Sequence, residues 1–142
     1  MILLKNGSFE SSWYHLGGVA ELQIPVDWRF WYADATTPNP YDSNPWARFV
    51  RPEVRVLPAE MLPEHERALF IRDGVQTLKV FKGNGAWYAG LAQSLSLEPG
   101  LYRFSFPVFA DLIKDYRADG SKVWADDPQQ RDGLWRFVLN GH

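Results

Sequence analysis

The chain has 142 residues, a formal net charge of −2 and no cysteine. That length fits one domain able to bury roughly two thirds of its unfolded surface. The small charge does not advertise nucleic acid or an anionic membrane as partner, no run is apolar and long enough to span a bilayer, and a disulfide framework is excluded. Seven Trp, six Tyr and nine Phe are the compositional outlier. Most of them fit as plugs of a β core, and a minority, standing exposed, would serve as stacking platforms.

In chain order, the first signal is Leu3-Leu4-Lys5-Asn6-Gly7-Ser8-Phe9-Glu10, a short apolar strand broken by an Asn-Gly turn. Lys5, Asn6 and Glu10 follow Met1 too soon for a signal peptide. Trp28 to Ala33 is an aromatic strand with Trp28, Phe30 and Tyr32 on one face and Arg29 and Trp31 on the other. Asp34 to Trp46 reads as a loop stiffened by Pro38, Pro40 and Pro45. Val54 and Val56 alternate with Arg55 and Leu57. Met61 to Leu69 is the helical candidate, with Pro63 suited to its first turn and Glu64 and Glu66 to its positive end. Thr77 to Phe81 alternates again, with Leu78 and Val80 on one face.

After Gly90 a strand carries Leu91, Gln93, Leu95 and Leu97 on one parity. Pro99-Gly100 turns the chain into another, whose apolar face is Tyr102, Phe104, Phe106 and Val108 and whose Pro107 suits an edge or bulge. Asp119-Gly120, between Tyr116 and Lys122-Val123-Trp124, predicts a hairpin, and Leu134 to Leu139 a last strand. Many short strands and at most one short helix predict an all-β domain over residues 1–142, a two-sheet antiparallel β-sandwich.

Four pieces, in this order, resemble the carbohydrate-binding modules of families four, nine and twenty-two. They are Asn6-Gly7 with Phe9 and Glu10; Pro25 with Trp28; Gly74 followed by Leu78, Lys79 and Val80; and the stretch from Gln93 to Ser105. The resemblance implies a galactose-binding-like jelly roll. It implies non-catalytic glycan binding in an extracellular or particle- or cell-surface setting, although the missing signal peptide leaves the cytoplasm open. It also implies a structural Ca²⁺ held by Glu10. Family members finish with further strands and an Asp-Asp-Val-like motif, whereas this chain stops at Asn140-Gly141-His142. The expectation is therefore a sandwich lacking its last strands, with an open edge that invites a homodimer. Asp126-Asp127 would have to replace the closing aspartate.

A sugar site needs rings for the pyranose face and planar polar groups for the hydroxyls. The candidate rings are Trp31, Trp46, Trp87, Tyr88 and Trp124, each against the alternative of a core or loop plug. Candidate polar partners are Arg48, Arg51, Glu53, Arg55, Gln93 and Arg103. The three arginines 48, 51 and 55 hint at an acidic glycan, against solvated strand charge or ion pairs with Glu53. Gln93 has core parity and would equally satisfy buried backbone. His15, His65 and His142 lack metal spacing, and no triad or phosphate loop is present. A glycoside hydrolase or lyase would need two carboxylates about 5–10 Å apart, drawn from Glu53, Asp73, Asp126 and Asp127. A structural domain binding protein through an open edge is the remaining alternative.

Overall fold

The computed structural model describes residues 4–110, 112–125, 136 and 138. Two compact units, Met1–Arg103 and Phe104–His142, fall within the span that reads as one domain. The class is all-β: strands in small antiparallel pairs with one short helix. Among the described residues no helix is long and apolar enough to cross a membrane.

The first unit holds β1 (Trp13–His15), β2 (Gln23–Pro25), β3 (Arg29–Tyr32), β4 (Glu53–Pro58), α1 (Glu64–Phe70), β5 (Gln76–Phe81) and β6 (Ala89–Ala92). β1 pairs with β2, β3 with β6 and β4 with β5, all antiparallel. An isolated Leu22–Val54 bridge sets β2 beside β4. The described ladders remain pairs rather than joining into two broad sheets.

Leu22, Ile24, Phe30 and Val54 form the buried core, with Trp28, Tyr32, Leu78, Val80, Ala89 and Leu91 packed against it. Alternation along β3 therefore works as its sequence predicts: Trp28, Phe30 and Tyr32 face inward, while Arg29 and Trp31 are exposed. Each fully buried aliphatic or aromatic side chain contributes roughly 1.5–3 kcal/mol.

The Asn6–Glu10 segment closes this core from outside the ladders. Asn6 adopts the left-handed conformation (φ 47°). Its side-chain amide donates to the Val26 carbonyl at 2.9 Å, and its own carbonyl accepts from the Trp28 indole N–H at 2.9 Å. Phe9 packs on the Trp28 ring at 5.6 Å. Glu10 Oε1 accepts the backbone N–H groups of Val75 (2.9 Å) and Gln76 (3.1 Å). Gly74 (φ 72°) is required there, because a Cβ would lie 2.1 Å from that same oxygen.

The helix begins later than its pattern predicts. Pro63 precedes it as the cap residue, and a 3-10 turn occupies Ala59–Met61. The proline ring holds Leu62 extended (φ −103°, ψ 143°) and so separates the two. β6 also stops short of the predicted strand. Ala92 pairs with Arg29, and before Arg29 the partner chain turns away at Asp27 (φ 71°), so Leu95 and Leu97 lie beyond the ladder. Tyr102 to Val108 is in no strand, although its alternation predicts one.

The second unit holds β7 (Ile113–Tyr116) and β8 (Lys122–Trp124), the hairpin predicted around Asp119-Gly120. Gly120 supplies the left-handed turn residue (φ 80°). The predicted last strand and Asp126-Asp127 lie outside the described residues, apart from Arg136 and Val138, which are not in a strand.

Candidate functional site

The outer face of the β3–β6 pair gathers two of the five candidate rings. Trp31 pairs across the ladder with Gly90, and its indole lies over that glycine. A Cβ on residue 90 would sit 2.7 Å from Trp31 Cε2, Cζ2 and Nε1, so the ring takes the space a side chain would fill. Tyr88, one residue before β6, meets Trp31 edge-on with centroids 5.0 Å apart. Trp31 is 46% and Tyr88 45% exposed, so each ring is anchored and still half open to solvent. Buried Phe49 backs Tyr88 at 5.8 Å, and the Ala33 N–H donates to the Tyr88 carbonyl at 2.8 Å.

Arg29 stands on the same face two residues from Trp31, and its Nη2 donates to Ser94 Oγ at 2.8 Å. Neither residue was singled out by sequence. The signal was the parity that Arg29 shares with Trp31, but a charged residue on a strand reads by default as solvated surface. Trp13, exposed on β1 with its ring 4.9 Å from His15, is a further aromatic that composition alone did not distinguish.

The other candidates lie elsewhere. Trp46 is the most open candidate ring, 79% exposed on the Pro-rich loop. That loop is held by successive side-chain-to-backbone turns: Asp34 to Thr36, Asn39 to Tyr41, Asp42 to Asn44 and Asn44 to Trp46. The Thr36 hydroxyl and backbone N–H both hold the exposed Asp34 carboxyl below its usual range. Arg48 Nη1 donates to the Pro45 and Ala47 carbonyls at 3.2 and 2.9 Å, which makes it a strut of the loop. Trp87 is half-buried. Gln93 accepts from the Lys5 N–H (2.8 Å) and donates to the Lys5 (2.9 Å) and Asp27 (3.1 Å) carbonyls. Its amide ties the N-terminal segment to the end of β6, the backbone-satisfying alternative raised by its parity.

Arg103 is exposed on a stretch without regular structure. Trp124 belongs to the second unit, where Phe109 meets it edge-on at 5.3 Å and Lys122 Nζ lies 5.1 Å from its centroid. Of the remaining charges, Arg51 approaches Glu21 at 3.8 Å, Arg55 Nη1 donates to the Ala20 carbonyl at 3.3 Å, and Lys82 pairs with Glu53 at 3.3 Å. Among the described residues no three His, Cys, Asp or Glu side chains gather as a metal site. The chain matches no family model, no curated protein and no solved structure.

Proposed function

We propose that this protein is a non-catalytic glycan-binding module whose platform is the outer face of β3–β6. The observation that carries the reading is the Trp31–Tyr88 pair: two rings fixed against Gly90 and Phe49, each about half exposed. A pyranose lays its C–H face on such a surface, and the Arg29 fork and Ser94 hydroxyl beside it offer partners for its hydroxyls. The jelly-roll resemblance belongs to the same proposal, as does its surface or extracellular setting. Affinity is modest, because sugar hydroxyls exchange water hydrogen bonds for protein ones at small net gain. Tryptophan emission titrated with an oligosaccharide panel tests it: a saturable change with at least one glycan supports the reading, and none with a folded sample overturns it.

A structural Ca²⁺ on Glu10 is part of the resemblance. Glu10 Oε1 is committed to two backbone amides, so the carboxylate's other oxygen would serve the ion, whose role there would be to brace the N-terminal segment. A melting temperature that rises with Ca²⁺ and falls with chelator supports this; an unchanged one removes it.

One observation favours a second reading, assembly with another copy of the chain. In the first unit, Leu95, Leu97, Leu101 and Tyr102 are exposed in a stretch outside every strand. Sedimentation that stays monomeric at high concentration removes that reading.

A further inference from the structure

We infer that the β3–β6 platform is built for an anionic sugar, and that Arg29 is the residue that reads its charge; the inference rests on the glycan reading above. Three observations on that face converge.

The first is position. Arg29 and Trp31 are alternate residues of β3, so their Cα atoms are about 7 Å apart on one face. A sugar ring resting on the indole brings a substituent at its rim within reach of the guanidinium.

The second is the state of the guanidinium. Its Nη2 donates to Ser94 Oγ at 2.8 Å, which orients the fork but uses one of five N–H donors. Among the described residues no carboxylate pairs with it. The arginines that first suggested an acidic ligand are placed differently. Arg48 and Arg55 donate to backbone carbonyls, and Arg51 lies against Glu21.

The third is the charge of the face. The outward positions of the pair are Arg29 and Trp31 on β3 and Gly90 and Ala92 on β6, flanked by Tyr88 and Ser94. They carry one charge, and it is positive. The whole chain is at −2, so attraction to a polyanion must be local to this face rather than a property of the overall field.

A planar fork beside a stacking ring matches a sugar carboxylate in two parallel hydrogen bonds, and it matches a sulfate through the same donors. The shared chemistry is an oxyanion on a pyranose. Because the site is open to water, the expected discrimination is about tenfold, not thousandfold.

The test uses the full chain on an array of uronate, sulfated and neutral oligosaccharides, followed by calorimetry. The calorimetric probes are the best anionic ligand and its neutral form, the methyl ester of a uronate or the desulfated sugar. The expected result is about tenfold tighter binding of the anionic form. Arg29→Gln should remove that preference, weakening the anionic form about tenfold more than the neutral form, while Arg29→Lys, which keeps charge but not the fork, should keep part of it. A uronate preference over sulfate identifies the carboxylate as the group read, and the reverse identifies sulfate. Equal binding of charged and neutral forms, or a preference that survives Arg29→Gln in a folded variant, overturns the inference and leaves the glycan reading standing. No binding to any array member removes the glycan reading and this inference with it.

Discussion

The two faces of β3 differ in what their aromatics are for. Inward, Phe30 is buried in the core, and Trp28 and Tyr32 pack against it. Outward, Trp31 rests on Gly90 with Tyr88 at its edge, and both rings remain half open. One strand thus supplies both stability and a surface, separated only by the period of the pleat. The comparison teaches that ring exposure carries information when the ring is also fixed. Trp46 is far more exposed than Trp31, but among the described residues no aromatic ring packs against it, whereas Trp31 is held by its cross-strand neighbour.

Four substitutions or titrations break or sharpen this contrast. The largest effect belongs to the sealed side. Ile24→Ala removes a fully buried side chain and should cost about 3 kcal/mol by chemical denaturation, with glycan affinity of the remaining folded protein unchanged. Glu10→Ala strips the acceptor from the Val75 and Gln76 amides and loosens the segment that packs Phe9 on Trp28. A loss of about 1–2 kcal/mol is expected; a loss within experimental error would show that the clasp is not what closes this side.

On the open side, Gly90→Ala forces the Trp31 ring from its seat. Because the ring can swing into solvent, stability should fall by only about 1 kcal/mol while glycan affinity drops severalfold. Equal affinity with unchanged Trp31 geometry would separate the ring's seat from the site. The smallest effect concerns the loop beyond Tyr88. Asp34 is held below its ordinary value of 3.8 by the Thr36 hydroxyl and N–H, so its contribution to loop order is complete above that value. It is lost as pH falls through the lower folded value. The Thr36 amide resonance should titrate with a midpoint below 3.8, and a midpoint at or above it would contradict the hydrogen bonding.

Much of the sealed side was legible in the sequence. The parity of Trp28, Phe30 and Tyr32 and the Leu78–Val80 face follow from period; in the second unit, the hairpin follows from the turn chemistry of Asp119-Gly120. The open side was legible only in part. Trp31 and Tyr88 could be marked as aromatics of outward parity, but the need for glycine at 90 appears only once Trp31 is known to lie opposite it, a pairing across nearly sixty residues. Arg29 escaped for the same reason, since its meaning comes from its neighbours. Alternation from Tyr102 to Val108 shows that a face could form, and says nothing of whether a partner strand is at hand. Gln93 reads in sequence as a sugar partner with a backbone tie as the alternative, and its amide bonds the backbone of Lys5 and Asp27.

The most direct test of the platform is calorimetric titration of the full chain and of Trp31→Ala with the oligosaccharide that most changes tryptophan emission. A stacking platform predicts at least tenfold weaker binding in the variant, about 1.4 kcal/mol, with a melting transition close to that of the parent. Unchanged affinity in a folded Trp31→Ala protein would contradict it.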